Sequence, residues 1–353
     1  MLVALVDWLS SITHPKHWTA EQQRTATISN DEATAVHTAY APFCRHDAYG
    51  VAGWYGPRYT LGDYFRILRR TVLLSMSLGS LLSLAMLSSS LLRTERSRAV
   101  LRKTVALHAR WIMYSLGIDP LQVVVLKEEE EPQMVSPESI TTTTTPILVC
   151  NHVSYLDMLV LCALPNVFPS FVAKAPIQHD PVFGNLARAM NCTFVSHGSS
   201  KRSGGSAVDE IVAKVQQQQH EPSEHRQPIL IFPEGTTTNG SYLLPFRTGA
   251  FVANVPVQPI LLHYNQGSTS SRFHPSWESI SFRRHLWRLL AQPQHTCRMT
   301  FLSVFHPHEG EGAAQFAERV RQAMATAGNL QLSDLRYKDK AAYHAKLREL
   351  GYS

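Results

Sequence analysis

A histidine stands five residues ahead of an aspartate in the run Asn151-His-Val-Ser-Tyr-Leu-Asp157, the first place in this chain where side chains could do chemistry. A neutral imidazole accepts a proton near neutral pH. A carboxylate on its other ring nitrogen fixes the tautomer and stabilises the imidazolium that forms. Such a pair is suited to taking the proton from a hydroxyl as it attacks a carbonyl. On one continuous helix, five residues at about 3.6 per turn would put the two side chains on different faces. A strand-to-helix turn lets them converge, and the flanks predict one. Pro146-Ile-Leu-Val-Cys150 reads as a strand and Met158-Leu-Val-Leu-Cys162 as a helix, with Ser154 as a candidate N-cap. Cys150 lies two residues before His152 and could share its strand face, which permits a Cys–His nucleophile; at the end of an apolar run it reads rather as a buried thiol.

Three further blocks accompany the pair. Phe232-Pro-Glu-Gly-Thr-Thr-Thr-Asn-Gly240 follows the strand-like Ile229-Leu-Ile-Phe232 and reads as the turn after it. Gly235 lets the backbone approach a ligand there, and nearby N–H groups could bind phosphate. A carboxylate facing phosphate is counterproductive, so Glu234 is expected to position a basic residue or loop amides. Thr193-Phe-Val-Ser-His197 lies between the first two blocks, and Val255-Pro-Val-Gln-Pro-Ile260 comes last. In this order and spacing the four blocks resemble the lysophospholipid and glycerolipid acyltransferase family. That family's marks are a His-x4-Asp box, a Phe-(Ile/Val)-x-Arg box, a Phe-Pro-Glu-Gly-Thr box and a Val-Pro-(Ile/Val)-x-Pro box. The first and third boxes most resemble the branch acylating lysophosphatidylethanolamine and lysophosphatidylcholine, and the likeness covers roughly residues 95–330.

The resemblance implies a fatty acyl group moved from acyl-CoA, as co-substrate with no cofactor, onto a lysophospholipid hydroxyl. His152 is then the base and Asp157 its orienter. The lipid's own hydroxyl is the nucleophile, which agrees with the lack of a Gly-x-Ser-x-Gly elbow. Glu234, Gly235 and Thr236 fall in the acceptor site. Where the family carries a phosphate-gripping arginine this chain has His197, a weaker and pH-dependent donor. Lys174 and Arg247 match basic positions of the family and are candidate phosphate partners, as are Lys201 and Arg202. Glycerol-3-phosphate or lysophosphatidate as acceptor, a CoA-independent transacylase, and a lipid-binding scaffold that keeps the fold are the alternatives. Seventeen histidines invite a metal, but none has ligand spacing, and no metal is expected.

These residues need a frame. From Pro146 onward, strands near 146–150, 171–174, 193–196, 228–232, 256–262 and 297–305 alternate with helices near 157–164, 181–190 and 206–219. That alternation predicts an α/β acyltransferase domain with a largely parallel central sheet flanked by helices, antiparallel at an edge. Two amphipathic helices near 312–327 and 338–350 end the chain. Ahead of the domain, Val72–Leu92 is 21 residues without a charge, bracketed by Arg66, Arg69, Arg70 and Arg93, Arg96, Arg98. As helix it measures about 31 Å, close to a bilayer's hydrocarbon thickness. Seven serines and Gly79 dilute it, so a full span, a hairpin bent near Gly79 and a buried core helix all remain open. Arg96–Leu116 follows with Leu101, Val105, Ile112 and Leu116 at helical spacing, fitting an interfacial helix or one packed on the domain. The chain thus divides into an N-terminal extension (1–60), membrane-anchoring and interfacial helices (61–117), an acyltransferase domain (118–330) and a C-terminal helical tail (331–353).

Bulk properties agree. A net charge of +6 suits an anionic surface, and the basic residues do not interleave with aromatics as a nucleic-acid module requires, so the bilayer is the expected partner. Five cysteines, odd in number and without Cys-x-x-Cys spacing, read as free thiols in a reducing compartment. No cleaved signal peptide is expected, because Asp7 interrupts the first apolar run and no basic residues precede it. Endoplasmic reticulum membrane is what the family resemblance implies.

Overall fold

Strand β3 (Ile147–Cys150) explains the architecture. Its side chains alternate, Leu148 and Cys150 entering one apolar core and Ile147 and Val149 another. A strand apolar on both faces must be covered on both, and here helices do it. The computed structural model describes residues 35–36, 38–45, 59–91, 95–126, 131–140, 145–164, 166–167, 169–174, 178–179, 184, 187, 191–195, 207–220, 227–265 and 273–349.

Strands β6 (Ile229–Ile231) and β8 (Val257–Asn265) flank β3, both parallel to it. With β1 (Ile118–Val125), β2 (Gln133–Val135), β4 (Ser170–Lys174), β5 (Thr193–Val195) and β9 (His295–Phe301) they form an eight-stranded sheet of order β2-β1-β9-β8-β3-β6-β4-β5. Five of its seven neighbouring pairs are parallel. The antiparallel pairs are β1/β2 at the edge and β8/β9 in the interior. The second corrects the expectation of an edge alone. Asn265 at the end of β8 faces Thr296 at the start of β9, so the excursion between them returns to the same end of the sheet.

One face is covered by α2 (Glu95–Leu116), α3 (Asp157–Cys162) and α5 (Phe282–Ala291), the other by α4 (Ala207–Gln219) and α6 (Ala313–Gly328). Helix α5 is absent from the sequence expectation, and the expected helix over 181–190 lies almost wholly outside the described residues. A short pair, β7 (Tyr242–Leu243) with β10 (Gln331–Leu332), ties the third sequence block to the chain after α6. Helix α7 (Tyr337–Glu349) buries Tyr343 and Leu347 with Leu244 and with Phe43 and Cys44 from the N-terminal segment.

The N-terminal helix differs from expectation. α1 runs over Leu61–Leu91, unbroken through Gly79, so no bend occurs at the glycine. Arg66 and Arg70 lie inside it. Their guanidinium groups donate to the carbonyls of Ala291, Leu290, Gln292 and Pro293, satisfying the end of α5 and fastening α1 to the domain. α1 and α2 also meet through Ser80 Oγ and His108 Nε2, 2.8 Å apart. Val105, Ile112 and Leu116 of α2 are buried against the sheet, whereas Val100, Leu107, Trp111 and Tyr114 are exposed. Along α1, Leu61, Phe65, Leu68, Val72 and Met76 are exposed at helical spacing. Among the described residues no helix is long and apolar enough to cross a membrane.

Candidate active site

His152 leaves the carboxyl end of β3, and Phe232 leaves the carboxyl end of the adjacent parallel strand β6. Two blocks eighty residues apart therefore emerge side by side at one sheet end, where open α/β sheets place their ligands.

The predicted convergence of His152 and Asp157 is formed. His152 Nδ1 lies 2.8 Å from Asp157 Oδ2, so the ring proton sits on Nδ1. Asp157 is fully buried as the first residue of α3. The same Oδ2 accepts the backbone N–H groups of Val153 at 2.7 Å and Ser154 at 3.0 Å. Oδ1 accepts the phenol of Tyr264 at 2.7 Å. Four donors hold the carboxylate, and the turn is closed by Asp157 itself. Ser154 does not cap: the N-cap position is Leu156 and carries no side-chain bond. His152 is half-buried, stacked on Phe232 with ring centroids 4.2 Å apart, and no described residue bonds its Nε2.

Asn151 secures the strand end below. Its amide donates to Leu262 O at 3.0 Å and accepts from Leu262 N at 2.7 Å, continuing the β3/β8 ladder through a side chain. Cys150 is wholly buried, and burial pushes its thiol well above the usual range. A protonated core thiol does not act as a nucleophile, which removes the Cys–His alternative.

Glu234 turns inward. Its Oε1 accepts the N–H of His152 at 2.9 Å and its Oε2 the N–H of Leu244 at 3.0 Å. Burial pushes its carboxyl up to about 8, with the two amide bonds pulling the other way. Thr238 N–H donates to His152 O at 2.9 Å. The segment 234–238 therefore grips both backbone groups of the histidine. Thr236 is buried, whereas Gly235 and Arg247 are exposed. Gly235 has φ +69°, and a Cβ there would meet Arg247 Cζ at 2.6 Å, so the guanidinium lies directly over the glycine. Lys174 ends β4, but its side chain is outside the described residues, as are His197, Lys201 and Arg202 entirely. Among the described residues no group of three His, Cys, Asp or Glu side chains is placed to hold a metal ion.

Sequence reasoning missed Tyr264, which lies 107 residues from its partner Asp157. It also missed the N-terminal segment, where the amide of Asn239 donates to the carbonyls of Ala41 and Cys44, both at 2.8 Å. Only the run of strand β8 just after the last block hinted at the tyrosine.

The site is thus a histidine bonded to a buried carboxylate at the carboxyl end of a mostly parallel sheet. Residues 131–263 match the family model described as Acyltransferase. Lysophospholipid acyltransferase LPEAT1 of Arabidopsis thaliana is 39% identical over 205 residues, 57% of this chain and 49% of that protein. Lysophosphatidylcholine acyltransferase 1 of Rattus norvegicus is 32% identical over 204 residues, 57% of this chain and 36% of that protein. The chain thus spans half or less of the length of these relatives. Among solved structures, the 1-acyl-sn-glycerophosphate acyltransferase PlsC of Thermotoga maritima aligns with TM-score 0.47 and 17% identity, covering 76% of this chain and all of that one.

Proposed function

We propose that this protein transfers a fatty acyl group from acyl-CoA to the free hydroxyl of a lysophospholipid at a membrane surface. The observation that carries the reading is the His152–Asp157 pair, with Nδ1 bonded to a buried carboxylate and Nε2 bonded by no described residue. The lipid hydroxyl gives its proton to Nε2 while its oxygen attacks the thioester carbonyl. The tetrahedral intermediate collapses, the C–S bond breaks, and the imidazolium returns the proton to the departing CoA thiolate. The products are an ester and free CoA thiol. Asp157 holds the tautomer and offsets the charge on the ring. Gly235 of the third block and Arg247, which follows that block and lies over the glycine, meet the acceptor's phosphate, with Lys174 and His197 as further cationic candidates. The names of the relatives, which include lysophosphatidylcholine acyltransferases, support the acceptor class.

Membrane contact follows from the two exposed apolar stripes on α1 and α2. With both helices fastened to the domain, the pair dips into one leaflet as an interfacial anchor and keeps the site near the headgroups. The endoplasmic reticulum is the membrane this reading favours.

The test is transfer from labelled acyl-CoA onto a panel of lysophospholipids, wild type against His152→Ala, in membranes where both accumulate equally. Headgroup-selective product that depends on the histidine is expected. Equal background from both would overturn the acyl-CoA mechanism.

A further inference from the structure

Helix α7 lies beyond residue 263, where the family match ends, and its buried stripe is Lys340, Tyr343 and Leu347. A lysine in that stripe is out of character. Packing alone would be served better by an apolar side chain of similar length, since a buried charge must recover its lost hydration. Its ammonium meets three acceptors: Thr237 O at 3.0 Å, Thr237 Oγ1 at 2.7 Å and Glu278 Oε1 at 2.7 Å. Glu278 is fully buried, so the two charges neutralise each other inside the domain.

What this ammonium joins is informative. Thr237 sits between Glu234 and Thr238, which hold the N–H and C=O of His152. Glu278 follows Trp277, whose N–H donates to Val153 O at 3.0 Å and whose carbonyl receives the Thr237 hydroxyl at 3.3 Å. Lys340 therefore bridges the two segments that hold the main chain of His152 and Val153. We infer that Lys340 is a positioning residue for His152, acting through Thr237 and Glu278 from a helix outside the acyltransferase segment.

The kinetic arm of the test rests on the acyl-transfer reading; the chemical arm does not. The full chain is compared as wild type, Lys340→Met/Glu278→Gln, and Lys346→Met. The double variant removes both buried charges, so it does not strand a carboxylate. Lys346, half-buried on the same helix beside Glu349 and bonded to neither Thr237 nor Glu278 among the described residues, is the control. Thermal melts are recorded first, and every other reading is taken below the lowest transition. The first reading is kcat and KM for acyl-CoA. The second is the rate at which diethyl pyrocarbonate modifies His152, followed by peptide mass spectrometry.

In the folded double variant kcat falls about 10- to 100-fold, as misplacement of a catalytic group by about 1 Å produces. KM for acyl-CoA is unchanged and His152 is modified several times faster, while Lys346→Met matches wild type in all three. A folded double variant with wild-type kcat and wild-type His152 reactivity overturns the inference, as does the same loss in Lys346→Met. A wild type that transfers no acyl group, alongside faster His152 modification in the double variant, rejects the acyl-transfer reading and leaves the positioning role standing.

Discussion

Asp157 is held by four donors, and that number determines what each substitution costs. Asp157→Asn keeps the shape but sets an amide where acceptors are needed, and the ring of His152 loses its tautomer. Loss of kcat on the order of 10⁴ is expected, read from initial rates against protein that is still folded. Tyr264→Phe removes one bond and leaves Oδ1 buried and unpaired. It costs about 1–3 kcal/mol in urea denaturation. Its effect on kcat is smaller than that of Asp157→Asn, because the bond to the ring remains. Glu234 sets a pH trend whose sign is defined. Its folded pKa of about 8 lies above the ordinary 4.5, so between those values the unfolded chain sheds a proton that the native state keeps. Its contribution to stability is whole below about 4.5 and is lost as pH climbs to about 8. Glu234→Gln, neutral throughout, flattens the fall of Tm across that window. A slope unchanged from wild type would show that another group governs it.

Elements were legible where one period governed them. β3, β6 and β8 carry short apolar runs ending at the boxes, and the sequence located all three. α5 escaped because its buried face includes His285 and Arg288 among Trp287, Leu289 and Leu290, which blurs the apolar stripe. The sequence marks Val72–Leu92 as a charge-free run bracketed by arginines, because a charge inside a helix looks like its boundary. Here Arg66 and Arg70 turn to the carbonyls of α5 instead of to water or phosphate. The His–Asp pair was legible because both partners sit in one turn. Tyr264 and Lys340 were not, since Tyr264 reaches Asp157 across 107 residues and Lys340 reaches Glu278 and Thr237 across 62 and 103. At this scale the exposed stripe of α1 makes its own prediction. Burying a large apolar side chain contributes about 1.5–3 kcal/mol. Phe65→Ser with Leu68→Ser therefore lowers binding to phosphatidylcholine vesicles at least about tenfold, measured by co-sedimentation, while the melt stays near wild type.

For the molecule as a whole, charge and apolar surface act together. With a net charge of +6 and pI near 9.1, added anionic lipid strengthens vesicle binding, and salt weakens that increment more than the apolar part. A binding curve indifferent to both lipid charge and salt would assign the contact to the helices alone. Residues far apart in the chain meet at the histidine: the N-terminal segment through Asn239, α7 through Thr237, and the sheet through Asn151. The grip of the 234–238 segment on His152 runs through the main chain at both ends of the residue. Main-chain bonds do not depend on the side chain next door, so these bonds survive substitution in the turn wherever the buried packing of Val153, Ser154 and Leu156 is kept. Recombination is less forgiving. A chimera of two proteins of this fold with its crossover between the histidine turn and the glutamate loop joins halves never fitted to each other. Crossovers outside that pair keep the two together and yield active offspring.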